Sequence, residues 1–161
     1  MTKPRCRIPR MQPLHLAIIS FGLFAAAGMS SCVPDVEHPE APELTFISIS
    51  HTTVESSATE LIAVIGYRDR QGDLGFSDPD QNALRVRDNR LEGYDWFHIP
   101  PLAPDGEILD ISGTFEVVLP PLFLLGNGEM ESTTITFQVQ DRAENWSNVV
   151  SSPEIAVHDS L

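Results

Sequence analysis

Lysine is nearly missing from this sequence. Lys3 is the only one, and the six cations that follow residue 31 are all arginine, set against 23 acids. Because Lys3, Arg5, Arg7 and Arg10 precede every acid, the stretch from Cys32 onward carries a formal charge of −17. Binding to a phosphate backbone is driven by counterion release onto clustered Lys and Arg, so such a surface argues against DNA or RNA as a partner. It suits solubility first, and divalent cations or basic partners second.

Cysteine is scarce as well, with Cys6 and Cys32 alone. Cys6 falls in a segment expected to be cleaved and Cys32 is expected to carry lipid, so the folded body has no disulfide and must hold by apolar burial. No apolar run reaches the roughly 20 residues of a membrane-spanning helix. No stretch has helical periodicity, and no internal repeat is evident. The G-x-S-x-G elbow, the P-loop and the dinucleotide fingerprint are missing too, and no thiol is left to act as a nucleophile. His51, His98 and His158 stand apart, with neither an i, i+4 partner nor a cysteine, which argues against zinc.

What is present begins with a leader. The basic stretch Lys3 to Arg10 precedes the apolar run Leu16 to Ala27, which is long enough for a signal peptide and too short to span hydrocarbon. Gly28, Met29, Ser30, Ser31 and Cys32 follow. Small residues let the backbone enter a peptidase cleft, and the thiol behind them is a nucleophile for a diacylglyceryl group. This segment resembles the lipobox of bacterial lipoproteins, with Met29 where Leu is usual. The resemblance implies cleavage after Ser31 and lipidation of Cys32, each buried CH₂ of the acyl chains adding about 0.8 kcal/mol of membrane affinity. Residues 1–31 are therefore read as a cleaved signal peptide and 32–43, rich in Pro and acids, as an extended tether. Acids close behind the lipidated cysteine are similar to surface-export signals of Bacteroidota lipoproteins. The expected place is the outer membrane, on its periplasmic or its outer face.

From Leu44 onward, short runs of apolar and β-branched residues are separated by Gly, Pro, Asn and Asp. Seven strands are expected: Leu44 to Ser50, Thr59 to Tyr67, Ala83 to Val86, Tyr94 to Ile99, Gly113 to Leu119, Thr133 to Gln140 and Asn148 to Val157. Alternation in Ile135, Phe137 and Val139, and in Phe115, Val117 and Leu119, puts one face on a core and the other in water. The unbroken run Leu61 to Ile65 predicts a central strand covered on both faces. Pro153 predicts an edge or a bulge in the last strand. The spacing is that of an all-β, two-sheet sandwich over residues 44–161.

Two segments carry a further likeness. They are Tyr67 to Gly75 (YRDRQGDLG) and Asp141 to Asn148 (DRAENWSN), with His98 to Leu102 between them. Together they resemble a group of uncharacterised Bacteroidota lipoproteins with an immunoglobulin-like β-sandwich, in which an early strand ends in a D-G-D-G-D-I-G-like turn and a late hairpin in a D-R-A-G-N-x-S-N-like turn. Arg70 and Gln71 stand where that pattern has Gly and Asp, and Glu144 where it has Gly. The resemblance implies fold and anchoring, and no particular activity.

Two constellations are candidate sites. Asp69, Gln71 and Asp73 alternate along a Gly-rich turn with Asp78 and Asp80 beyond, and Asp141 and Asn145 would join them if both turns share one end of the fold. Such oxygens suit Ca²⁺. Equally, Asp side chains hold turns by bonding nearby N–H groups while Gly supplies positive φ. Tyr94, Trp96 and Trp146 offer rings for stacking a sugar, although strand aromatics are more often core, and Trp146, in a turn, is expected to be the exposed member. The functional expectation is a membrane-anchored, non-catalytic binding or accessory module for a glycan or an envelope protein. The alternative is a small polysaccharide hydrolase, which would need two convergent carboxylates in a cleft.

Overall fold

A computed structural model of the chain describes residues 40–104 and 106–159. The leader, Ser31, Cys32 and the first part of the tether lie outside the described residues. Within them the chain is all-β, with ten strands and no helix. In chain order these are β1 (Glu43–Ile49), β2 (Thr53–Glu55), β3 (Leu61–Asp69), β4 (Leu84–Asp88), β5 (Asp95–Phe97), β6 (Ile111–Leu119), β7 (Met130–Thr133), β8 (Ile135–Val139), β9 (Val150–Ser151) and β10 (Ile155–His158). They form three sheets, ordered β1-β3-β6, β2-β10-β7 and β5-β4-β8-β9. Every pairing is antiparallel except that of β10 with β2.

Of the three extra strands, β2 falls where none was expected, and the other two arise because two expected strands each divide between sheets. The run from Thr133 breaks at Thr134, leaving β7 in one sheet and β8 in another, and the last run breaks around Pro153 into β9 and β10. Proline cannot donate to a ladder, so the break falls where one hydrogen bond is already missing. The two crossovers lie side by side. Ile135 N donates to Ser152 Oγ and Ser152 N to the Ile135 carbonyl, both at 2.9 Å, so each departure is pinned by the other.

All three sheets feed one core. Ala63 and Ile65 of β3, Leu84 of β4, Phe137 and Val139 of β8, and Ile155 and Val157 of β10 are buried in a single cluster. Phe46 of β1 meets Phe137 at a ring-centroid distance of 6.3 Å, joining the first sheet to the third. Fully burying a side chain of this kind stabilises by about 1.5–3 kcal/mol, and truncating an enclosed Phe costs about 3–5 kcal/mol. The strand β3 is central in its sheet, but it is not covered on both faces as its composition predicts. Ile62 and Val64 are only half-buried, and Val118, directly opposite Ile62, is 54% exposed. The apolar run marks a strand with a partner on each side, only one of whose faces meets the core.

Candidate functional site

Both turns singled out in the sequence lie together. At the end of β3, Asp69 is buried and accepts Gln71 N on Oδ1 (2.9 Å) and Leu74 N on Oδ2 (2.8 Å). Gly75 has φ +91°, and a Cβ there would fall 2.2 Å from the Pro100 carbonyl oxygen, so the turn requires glycine for both conformation and space. In the late turn, Asp141 is equally buried and accepts Asn145 N (2.8 Å) and Asn145 Nδ2 (3.1 Å). A bridge pairs Leu74 with Asp141, Arg142 N donates to the Asp73 carbonyl at 3.1 Å, and the Arg142 guanidinium donates to the carbonyls of Gly72 and Gly75. Glu144 sits at φ +68°, a left-handed position that suits the glycine of the resembling pattern better than an acid.

This arrangement spends the acids on the turns themselves, mostly on backbone N–H groups. Asp69 and Asp141 each commit both carboxylate oxygens to N–H donors, and Asp78 accepts Asp80 N in a separate exposed turn. Gln71, Asp73 and Asn145 do share a depression of about 600 Å³ with Glu40 and Glu107, whereas Asp78 and Asp80 do not line it. Among the described residues, no three His, Cys, Asp or Glu side chains are grouped to hold a metal ion. Asp73 is the exception in the cluster, because its Oδ1 is buried with no hydrogen-bond partner. Burial first, then the charges of Asp141 and Asp69, push its pKa above the ordinary carboxylate value.

The aromatic residues behave differently from expectation. Leu84 and Val86 of β4 face the core, so Arg85 and Arg87 between and beyond them must face outward. Residues directly opposite in an antiparallel pair share a face, and Trp96 of β5 and Gln138 of β8 are the partners of Arg85. Trp96 is therefore outward and 48% exposed, while Phe97 turns in against the core. Tyr94 is exposed too, and Trp146, expected to be the free member, is partly covered. Core packing is thus the wrong expectation for Tyr94 and Trp96: alternation on β4 fixes the direction of everything paired to it.

These side chains form one array. Ring centroids lie 6.3 Å apart for Tyr94 and Trp96 and 6.1 Å for Trp96 and Trp146. The Arg85 guanidinium sits 4.0 Å from the Trp146 ring centre and 4.7 Å from that of Tyr94, and that of Arg87 lies 5.3 Å from Tyr94. Gln138 fixes the array by accepting from Arg85 Nε and Nη2 on Oε1 and donating through Nε2 to the Ser147 carbonyl. A hollow of about 80 Å³ opens between Arg85, Arg87, Tyr94, Gln138 and Val149. Sequence reasoning found Trp96 and Trp146 but missed Arg85, Arg87 and Gln138. The signal was the alternation of Leu84, Arg85, Val86 and Arg87, which marks two cations on the open side of a strand.

No protein-family model matches the chain, and no curated protein or solved structure matches it.

Proposed function

We propose that this chain is a lipid-anchored protein of the bacterial outer membrane whose folded body is a non-catalytic, glycan-binding module. An immunoglobulin-like two-sheet sandwich is the finer reading of its fold, supported by the single core shared by all three sheets and by a chain that passes from one sheet to another between β7 and β8 and between β9 and β10. One observation carries the binding reading. Three aromatic rings lie in contact on the outward face of β4, β5 and β8, with Trp96 half-exposed and held by neighbours instead of by the core. Exposed large apolar groups in a contiguous, fixed array mark interaction sites, and aromatic faces receive the C–H face of a sugar ring.

The polysaccharide-hydrolase alternative has less support. It needs two working carboxylates, and of the acids whose charge Asp73 feels, Asp69 and Asp141 have both oxygens committed to turn donors. Anchoring rests on Cys32, and metabolic labelling with a fatty-acid probe should mark the protein and be abolished by Cys32→Ser. Loss of the body from intact cells treated with protease would place it on the outer face. Binding is tested by titrating the protein with an oligosaccharide panel and following tryptophan fluorescence. Trp96 and Trp146 are its only tryptophans, and both belong to the array, so a flat response across the panel would overturn the reading.

A further inference from the structure

The arginines of this acidic body are distributed with a pattern. Arg68 pairs with Asp110 at 2.7 Å, Arg70 with Glu43 at 3.0 Å, and Arg90 with Asp88 at 2.6 Å and Glu131 at 2.7 Å. Arg142 donates to two turn carbonyls and lies near enough to Asp73 for their charges to interact. Arg85 and Arg87 are the two that have no carboxylate partner among the described residues, in a chain rich in acids. Both belong to the aromatic array and both line its hollow.

Their donors are incompletely used. A guanidinium offers five N–H groups. Arg85 gives Nε and Nη2 to Gln138, and Arg87 gives Nη2 to Asn89 in a long 3.3 Å contact, which leaves Nη1 of each, and the buried Nε of Arg87, without an acceptor among the described residues. Charge-assisted hydrogen bonds from arginine to an oxyanion are roughly twice as strong as neutral ones, so an unmet pair of guanidinium groups beside a stacking surface favours an anionic group on whatever stacks there.

We infer that the sugar received by this face carries a single negative charge, a carboxylate or sulfate that docks at Arg85 and Arg87 while its ring stacks on Trp96. This rests on the glycan-binding reading above and names its substrate class. Size and long-range charge limit the ligand further. A hollow of about 80 Å³ accommodates one such group, and a body of formal charge −17 repels a polymer charged at every residue. The fitting ligand is a largely neutral oligosaccharide bearing one acidic sugar.

The test uses the full chain in detergent and matched pairs of probes. These are xylotriose bearing one glucuronate against the same compound with its carboxyl reduced, and sialyllactose against lactose. Affinities come from calorimetry and tryptophan fluorescence. In the pair that binds, the acidic member should bind at least tenfold more tightly than the neutral one. Arg87→Gln should bring that ratio close to one, lowering the affinity for the acidic member far more than that for the neutral one. Arg87 is the better site to alter because Arg85 also holds two rings and Gln138. Unaltered melting of the Arg87→Gln protein verifies its fold, and Arg87→Lys, which keeps the charge, should retain part of the ratio if the fold of the first variant fails. Equal binding within every pair would overturn the charge inference while the glycan-binding reading stands. A ratio that Arg87→Gln does not change would remove these arginines from the site. Binding by no probe would overturn both.

Discussion

The turn pair joined through Asp69 and Asp141 and the face built on Trp96 and Arg85 depart from ordinary burial in opposite directions. In the first, carboxylates are 1% exposed; in the second, an indole is 48% exposed. A buried acid is tolerated only when its oxygens are bonded, and here each of the two acids accepts two N–H donors from within its own turn. Other apolar side chains are more exposed than Trp96, Met130 and Phe123 among them, and what sets Trp96 apart is its place in one array with Tyr94 and Trp146. The same kind of side chain that attracts notice in a sequence therefore has opposite meanings. The acids hold the chain together, and the aromatics are what the assembled chain presents.

The largest expected effect tests the first half of that contrast. Asp69→Ala strands the N–H groups of Gln71 and Leu74 in a buried turn, and hydrogen bonds to a charged acceptor contribute about 1.5–3 kcal/mol each. A net loss of about 2–4 kcal/mol is expected by urea unfolding, with glycan affinity unchanged in the population that remains folded. A loss below about 1 kcal/mol would break the assignment of Asp69 to scaffolding.

Arg90 tests a different comparison, between arginines that serve the fold and those of the face. It pairs with Asp88 and Glu131, whose carboxylate in turn accepts the N–H groups of Leu125 and Gly126. Burial raises the pKa of Asp88, but the hydrogen bonds and charge of Arg90, with the Thr133 hydroxyl, outweigh it and hold the carboxyl below its ordinary value. A lowered folded pKa contributes stability above the unfolded value, about 3.9, and that stability is lost as pH falls through the folded one. Arg90→Gln should cost about 1–3 kcal/mol at pH 7 and flatten this acid limb of the stability curve. An unchanged acid limb would show that Asp88 is held by something else. In contrast, Arg87→Gln should leave the curve where it is.

Most of the fold could be read from the chain because its signals are local. Alternation located the buried faces of β6 and β8, and Pro153 marked the place where the last run divides. What could not be read was the exchange of strands between sheets. A period of two continues smoothly from Thr133 to Val139, and nothing in it records that β7 and β8 find different partners. Candidate residues followed the same division. The two turns carry Asp and Gly at spacings whose backbone chemistry is local, so their meeting was open to expectation. Trp96 was misjudged because its direction is set by its register with Arg85, whose own direction is shared with Gln138, 53 residues further on, and register is a property of pairs.

The face itself is tested by a substitution with a small structural effect. Trp96→Ala removes a half-exposed ring and one cross-strand pair, contributions of about 0.2–1 kcal/mol, so stability should fall by no more than about 1 kcal/mol. Affinity for the bound oligosaccharide should fall at least tenfold. If instead stability collapsed and binding persisted, Trp96 would belong with the acids as part of the scaffold, and the contrast between the regions would fail.

The smallest effect is the most discriminating. Asp73 stands within the scaffold region but has the character of the other, since its buried Oδ1 has no partner. Burial and the neighbouring charges of Asp141 and Asp69 raise its folded pKa. Ionising it therefore costs stability, a cost absent below the ordinary carboxylate pKa of about 3.9 and growing in as pH rises through that value toward the raised one. Asp73→Asn removes the charge and should raise the melting temperature at pH 7, by less than about 1 kcal/mol in stability because the group is partly screened by solvent. The gain should vanish near pH 3. If the asparagine variant were less stable at pH 7, the ionised carboxylate would be holding something that the turn itself does not supply. The depression it shares with Gln71 and Asn145 would then be a second place where this chain meets a ligand, and addition or chelation of calcium would be the first measurement to repeat on both proteins.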